Sequence, residues 1–176
     1  MRTRHRATIV ELGNGNELLV RSALEARWAI FFNTIGLTFT YEPKEVRYYT
    51  PDFLVDGLGY VEIKPTIRLL GTESERKITK FCKENPAIKL YCFIGEKVSF
   101  ETVAMFESDR IYAPTFTHLV QAIIPIRDPK LLNRFETHCN AINNAFKTAN
   151  QFKLNHWIKV GAILPEVIEC IEPELA

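Results

Sequence analysis

The sequence lacks an excess of either charge: 22 lysine and arginine residues stand against 21 aspartate and glutamate residues in a chain of 176. This balance excludes the bulk basic character of proteins that bind nucleic acid with much of their surface. A DNA partner would need a local positive patch or cleft. The balance argues against a nucleic-acid function, although the acidic ligands of a metal site also lower the net charge.

Motifs for several common functions are also missing. The four cysteines show no CxxC spacing and no pairing with histidine, which excludes a zinc finger. No GxxxxGKS or GxxxxGKT loop is present, which argues against a P-loop triphosphatase. The four histidines are scattered and match no metal or catalytic template, so each is interpreted as a surface or core residue.

Targeting and membrane segments are not found either. The sequence shows no signal peptide and no apolar run near the length of a transmembrane helix. We therefore expect a cytoplasmic protein that does not enter a membrane, with reduced and mostly buried cysteines. The chain length fits one domain, or one domain with an appended helical piece.

The most informative stretch is Tyr49–Pro65, with the sequence YTPDFLVDGLGYVEIKP. Apolar runs on either side of Asp56–Gly59 predict a β-hairpin. Because side chains alternate between the faces of a strand, Glu62 and Lys64 share one face while the residues between and before them enter a core. Folding of the hairpin brings Asp52 opposite or diagonal to Glu62, at an edge that we expect to face solvent.

This arrangement of two carboxylates and an amine suits a particular chemistry. Carboxylate oxygens form a hard site for Mg²⁺ or Mn²⁺, which bind through one or two carboxylates plus water and phosphate. Lys64 offsets the repulsion between Asp52 and Glu62, and it can orient a water or stabilise charge on a phosphate oxygen. The alternative is structural: Glu62 and Lys64 form a solvated charge face, and Asp52 is a turn residue.

A third carboxylate, Glu25, lies on the first predicted helix, Ser22 to Thr34. Apolar residues at three-to-four spacing and a stop at Gly36 indicate this helix. Ser22 and Glu25 stand three apart at its start, which is the pattern of a capping box. The cap explains Glu25 completely, although a carboxylate in the first turn can also face the mouth of the hairpin.

Together these residues resemble the motif of the PD-(D/E)XK nuclease superfamily: Pro51-Asp52, then Glu62-x-Lys64, with Glu25 on a preceding helix. The segments RSALEARWAIFF, YEPKE, YTPDFLV and YVEIKP are similar to transposon endonucleases of the TnsA type and to small phage endonucleases and Holliday-junction resolvases. The resemblance covers roughly Arg21 to Gly95. It implies a phage or mobile element as the source, and an α/β fold with a restriction-endonuclease-like mixed sheet flanked by helices.

The resemblance implies a DNA endonuclease that depends on Mg²⁺ or Mn²⁺. Asp52 and Glu62 would hold the metal with the backbone carbonyl of Ile63, Lys64 would position the attacking water, and Glu25 would assist through a second metal or a water. One alternative is a non-catalytic DNA-binding or assembly module that retains the nuclease fold. Another is a hydrolase that acts on RNA or nucleotides.

Downstream of the motif, the sequence predicts a βαβ unit. Ile88–Ile94 is a continuous apolar run typical of a buried parallel strand, and a helix over Thr72–Asn85 supplies the crossover. Basic residues on and before this helix are expected to contact a phosphate backbone, the alternative being a solvated face with glutamate partners four residues away. The predicted nucleic-acid-binding residues are Arg21, Arg68, Lys77 and Lys80.

The chain is divided at the sequence level into a nuclease core over residues 1–126 and a helical C-terminal extension over residues 127–176. Asp128-Pro129 has the pattern of a helix start, and an apolar stripe continues to about Asn150. This stripe is either part of the core or a surface for a homodimer or partner protein.

Overall fold

The computed structural model describes residues 7–13, 15–43, 48–66, 71–123 and 135–152. Across these ranges the chain is α/β, with a six-stranded mixed sheet and four helices, and none of these helices has the length and apolarity needed to cross a bilayer. The elements in chain order are β1 (Thr8–Glu11), β2 (Glu17–Val20), α1 (Ala23–Thr34), β3 (Phe39–Tyr41), β4 (Phe53–Val55), β5 (Gly59–Lys64), α2 (Glu73–Glu84), β6 (Lys89–Ile94), β7 (Val103–Glu107), β8 (Arg110–Tyr112), α3 (Phe116–Ile123) and α4 (Phe135–Gln151).

The six-stranded sheet has the order β3-β4-β5-β6-β7-β8, and β1 pairs with β2 in a separate hairpin. Strands β5 and β6 are parallel, whereas every other neighbouring pair in the large sheet is antiparallel. A parallel pair needs a crossover connection, and α2 supplies it. The predicted hairpin over Asp56–Gly59 and the predicted βαβ unit are both confirmed.

Helix α1 begins where the capping pattern predicts. The backbone N–H of Glu25 donates to Oγ of Ser22 at 3.1 Å, which satisfies one of the free amides of the first turn. The helix ends at Thr34, and Gly36 follows with a φ of +77°. Its apolar face is buried against the sheet and consists of Ala26, Trp28, Ala29, Phe31 and Phe32.

The larger part of the core lies between α1 and one face of the sheet. The ring centroids of Trp28 and Phe93 on β6 are 4.3 Å apart, and Phe31 stacks on Phe146 of α4 at 4.8 Å. Helix α4 adds three fully buried side chains to this core, namely Ile142, Ala145 and Ala149. The part of the α4 stripe from Ile142 to Ala149 therefore packs into the core.

The opposite face of the sheet is covered by α2. Its buried residues Ile78, Phe81 and Cys82 pack against Leu90 and neighbouring side chains of β6 and β7. Burial raises the pKa of Cys82, and that of Cys92 on β6, to about 12, so both thiols stay protonated and unreactive. Among the described residues, Cys82, Cys92 and Cys139 form no disulfide, and Cys82 and Cys92 are buried as predicted.

Two glycines fix the turn of the β4–β5 hairpin. Gly57 and Gly59 have φ values of +80° and +106°, which residues other than glycine rarely adopt. A Cβ on Gly59 would lie 3.0 Å from the carbonyl oxygen of Lys89 on β6. The turn therefore sets the register in which Phe53 pairs with Val61.

Some predicted features lie outside the described residues. These are the start of the last helix at Asp128-Pro129, the division between residues 126 and 127, and the predicted DNA contact Arg68.

Helices α1 and α4 also hold the loop that follows β6. The side-chain amide of Asn150 accepts from the N–H of Val98 and donates to its carbonyl oxygen, both at 2.9 Å. Arg27 of α1 donates to the carbonyl oxygen of Glu96 at 3.3 Å. This loop begins at Gly95, whose N–H donates to the carbonyl oxygen of Lys64 at 2.8 Å. The last helix is thereby linked to the end of β5.

Asn150→Ala should lower the free energy of unfolding by roughly 1 to 3 kcal/mol, because both polar groups of Val98 lose their partner. Urea denaturation followed by circular dichroism measures this change. Asn143→Ala, at an exposed position of the same helix, controls for the higher helix propensity of alanine. Equal stability of the two variants would contradict the role assigned to Asn150.

Candidate active site

Asp52 and Glu62 meet at the open end of the β4–β5 hairpin. The register pairs Phe53 with Val61, so one step further along the ladder Asp52 stands directly opposite Glu62. Directly opposed residues project from the same face of a sheet. Asp52 and Glu62 are only 5% and 6% exposed. They line a cavity of about 250 Å³ with five further residues, Arg21, Glu25, Thr50, Ile63 and Lys64.

Both oxygens of Asp52 contact donors from other parts of the chain. Oδ2 accepts from the backbone N–H of Ile63 at 2.7 Å, and Oδ1 accepts from Nη2 of Arg21 at 2.7 Å. In a β-ladder the N–H and C=O of one residue face the same neighbour. The carbonyl of Ile63 therefore faces the side on which Asp52 lies, which places the predicted third metal ligand beside the cavity.

Glu62 is held by a lysine and a tyrosine. Nζ of Lys64 lies 2.6 Å from Oε1, and the hydroxyl of Tyr49 donates to Oε2 at 2.6 Å. The ring of Tyr49 packs on Phe81 of α2 with centroids 5.1 Å apart. Lys64 therefore offsets the charge of Glu62 as predicted. Tyr49 was missed, and the signal available was a hydroxyl-bearing aromatic three residues before Asp52.

Glu25 combines the two roles that the sequence left open. Its backbone N–H donates to Oγ of the N-cap residue Ser22, and its carboxylate accepts from the hydroxyl of Ser22 and the backbone N–H of Arg21. The same carboxylate accepts from the hydroxyl of Tyr41 on β3 and lines the cavity. A first-turn cap thus brings a third acidic group to the site, and Tyr41 is a second tyrosine that the sequence did not indicate.

The electrostatics of the cavity are unfavourable for two ionised carboxylates. Burial raises the pKa of Asp52 to about 7, and the negative charge of Glu62 adds to the effect, while the Ile63 N–H and Arg21 oppose it. Burial alone would lower the pKa of Lys64, but the charge of Glu62 and the hydrogen bond to it raise that pKa above its ordinary value. Lys64 is accordingly an ammonium ion at neutral pH.

The expectation that the carboxylates of Asp52 and Glu62 face solvent is wrong, since both residues are buried. Strands β4 and β5 are the second and third strands of the sheet, with helices packed on both faces. Tyr49 and Arg21 then contact the carboxylates directly, so that both are buried. The pattern of a hairpin contains no information about how many strands and helices surround it.

The predicted nucleic-acid-binding residues lie in different places. Arg21 belongs to the cavity. Lys77 pairs with Glu73 four residues away at 2.8 Å, and Lys80 lies 4.0 Å from Glu84 and over the ring of Tyr48. The contacts of Lys77 and Lys80 favour the alternative of a solvated helix face with glutamate partners.

The donors at the site fit a hard divalent cation. Among the residues that the structure describes, no group of three or more His, Cys, Asp or Glu side chains is arranged to hold a metal. The candidate donors are instead the carboxylates of Asp52 and Glu62 and the carbonyl of Ile63, an oxygen set that Mg²⁺ completes with water and phosphate. Each carboxylate oxygen has a second lone pair beyond its present contact, so coordination remains open to both.

Comparison of the chain with protein-family models, curated proteins and solved structures gave no match in any of the three. The residues of this cavity are therefore the basis for inferring a function.

Without divalent ions, the contribution of Asp52 to the free energy of unfolding should fall as pH rises from about 4 to about 7. The pKa of Asp52 is raised by folding, so the folded protein binds a proton that the unfolded chain has released, and this stabilisation is lost as pH rises through the folded value. Urea denaturation at several pH values should show a flatter dependence for Asp52→Asn. Asp56→Asn, in the exposed hairpin turn, should behave as wild type. A wild-type slope in Asp52→Asn would contradict the assignment.

Proposed function

We propose that the chain is a metal-dependent DNA endonuclease that hydrolyses phosphodiester bonds, with a restriction-endonuclease-like core of the PD-(D/E)XK type. The observation that carries the proposal is the convergence of Asp52, Glu62 and Lys64 in one cavity. The hairpin register places the two carboxylates opposite each other, and the Lys64 ammonium lies 2.6 Å from the Glu62 carboxylate. These are the residues on which the sequence resemblance depends.

The order of elements gives further support. A helix with a cavity-lining glutamate precedes β3, and the β4–β5 hairpin and the α2 crossover to β6 follow. Asp52 directly precedes the second strand of the mixed sheet, and Glu62 and Lys64 lie on the third. A source in a phage or mobile element is part of the same proposal.

In this proposal Asp52, Glu62 and the carbonyl of Ile63 would hold Mg²⁺ or Mn²⁺. When bound, such an ion polarises a phosphate oxygen and lowers the pKa of a water ligand. The Ile63 N–H and the Tyr49 hydroxyl fix the orientation of the two carboxylates before substrate arrives. Preorganised groups of this kind avoid reorganisation during the reaction.

Lys64 acts mainly through its charge. Because Glu62 raises its pKa, the amine is protonated and is poorly suited to remove a proton from water. An ammonium at this position can orient the attacking water and stabilise negative charge on the phosphate oxygens. Glu25 lines the α1 side of the cavity, and in this proposal it would accept a hydrogen bond from a water.

A second candidate is a non-catalytic DNA-binding or assembly module that retains this fold. The observation in its favour is that all four oxygens of Asp52 and Glu62 already contact protein donors. A closed network of this kind can serve structure alone. In that case a Mg²⁺ titration would show neither binding nor cleavage.

Supercoiled plasmid should be nicked or linearised by the wild-type protein with Mg²⁺ and left intact with EDTA. Lys64→Ala should lower the cleavage rate by about a hundredfold or more, because a charge that stabilises the transition state is lost. Lys147→Ala, at an exposed position of α4, is the matched control. Cleavage by Lys64→Ala at the wild-type rate would exclude the assigned role.

The substrate class is tested with the same preparation. Linear duplex DNA, a four-way DNA junction, RNA and a nucleoside triphosphate should be compared at equal enzyme concentration. We expect cleavage of DNA. Preference for the junction would indicate a resolvase, and cleavage confined to RNA or nucleotides would contradict the DNA endonuclease proposal.

A further inference from the structure

Arg21 lines the cavity but has no role in the chemistry proposed for Asp52, Glu62 and Lys64. It precedes the N-cap residue of α1, and its guanidinium forms ion pairs with Asp52 and Glu42, while its Nε also lies 3.9 Å from the carboxylate of Glu25. Nη2 lies 2.7 Å from Oδ1 of Asp52, and Nε lies 2.7 Å from Oε1 of Glu42 at the end of β3. The side chain is 51% exposed, so part of it remains open to solvent.

The contact with Asp52 and a metal on Asp52 oppose each other. Arg21 is the cation on Oδ1, whereas Oδ2 is bonded to the fixed backbone N–H of Ile63. A divalent cation on the same carboxylate would lie within a few ångströms of the guanidinium, where like charges in a partly buried site repel strongly. Lys64 stands in the same relation to Glu62 and lines the same cavity.

Glu42 offers a way for Arg21 to leave Asp52 without leaving the site. Its own backbone is held in the left-handed region, with a φ of +42°, and its N–H donates to the carbonyl oxygen of Asp52 at 2.8 Å. A residue other than glycine is unfavourable there, and such conformations cluster at functional sites. The bond from Glu42 to Nε can persist while the two terminal nitrogens of Arg21 turn towards a ligand.

We propose that Arg21 is an internal counter-ion of Asp52 that a divalent cation displaces and that then, still tethered by Glu42, binds a phosphate of the nucleic-acid substrate. This inference rests on the proposed nuclease function. A guanidinium presents a planar fork of donors that matches phosphate oxygens. Its half-exposed position at the cavity is where a phosphate approaching Asp52 would arrive. Glu42 acts through Arg21 and is a positioning residue.

The proposal predicts opposite effects of one substitution on two ligands. In Arg21→Gln, the dissociation constant for Mn²⁺ alone, measured by isothermal titration calorimetry, should fall about tenfold because a competing charge is removed. At saturating Mn²⁺, the KM for duplex DNA should rise about tenfold with a smaller change in kcat. The salt dependence of KM should become shallower by about one unit of logarithmic slope. Arg110→Gln, on β8 at the far edge of the sheet, should change neither constant.

Two further variants separate the functions of charge and shape. Arg21→Lys retains the charge without the fork, and should raise KM while leaving the Mn²⁺ affinity within about twofold of wild type. Glu42→Gln should raise KM without tightening Mn²⁺ binding, because the tether is lost but the cation remains. If Arg21→Gln does not fold, as judged by circular dichroism, the Arg21→Lys result decides.

The outcomes distinguish this proposal from the one on which it rests. If wild type binds Mn²⁺ and cleaves DNA while the Arg21 variants match Arg110→Gln, the role of Arg21 is wrong and the nuclease proposal stands. Weaker Mn²⁺ binding by Arg21→Gln would also overturn the counter-ion role. If wild type neither binds Mn²⁺ nor cleaves DNA, both proposals fail.

Discussion

Placing Asp52 and Glu62 opposite each other inside a layered domain removes two negative charges from water, and the organisation of the cavity follows from that constraint. In a medium less polar than water their repulsion is strong. Each carboxylate therefore has a cation of its own, Arg21 for Asp52 and Lys64 for Glu62, with a fixed neutral donor on its second oxygen. Even with these partners, burial and the charge of Glu62 raise the pKa of Asp52 to about 7. A site held in this balance is also one that a divalent cation could occupy by replacing positive charge that is already present.

The surrounding fold supplies these partners from both layers. Helix α1 brings Arg21 and Glu25 to the cavity from its N-terminal end, and α2 supports Tyr49 through the ring of Phe81. The loop after β6 is bonded to the end of β5 at Lys64 and is held in turn by Asn150. Helix α4 is thus linked through this loop to the end of β5, where Lys64 lies.

Much of this architecture was predictable because its signals are local. The three-residue spacing of Ser22 and Glu25 predicted the start of α1, and the continuous apolar run before Gly95 predicted the parallel strand β6. The two glycines of the hairpin turn indicated the turn, while the register itself was left uncertain by one residue. The structure resolves it, since pairing of Phe53 with Val61 opposes Asp52 and Glu62.

The remaining features depend on contacts between distant parts of the chain. Arg21 and Asp52 are separated by 31 positions, and Tyr49 and Glu62 by 13, so no local pattern specifies either pair. The burial of the carboxylates likewise depends on how many strands and helices surround the hairpin. The stripe of α4 was consistent with a core or an interface, and only its packing against Phe31 assigns its described part to the core.

The most direct test of the central claim is a crystal structure determined with Mn²⁺ and its anomalous signal. The account predicts one anomalous peak about 2.1 Å from oxygens of both Asp52 and Glu62 and from the carbonyl oxygen of Ile63. The claim would be contradicted by the absence of a peak at saturating Mn²⁺. It would also be contradicted by a peak at another position while both carboxylates keep their present contacts.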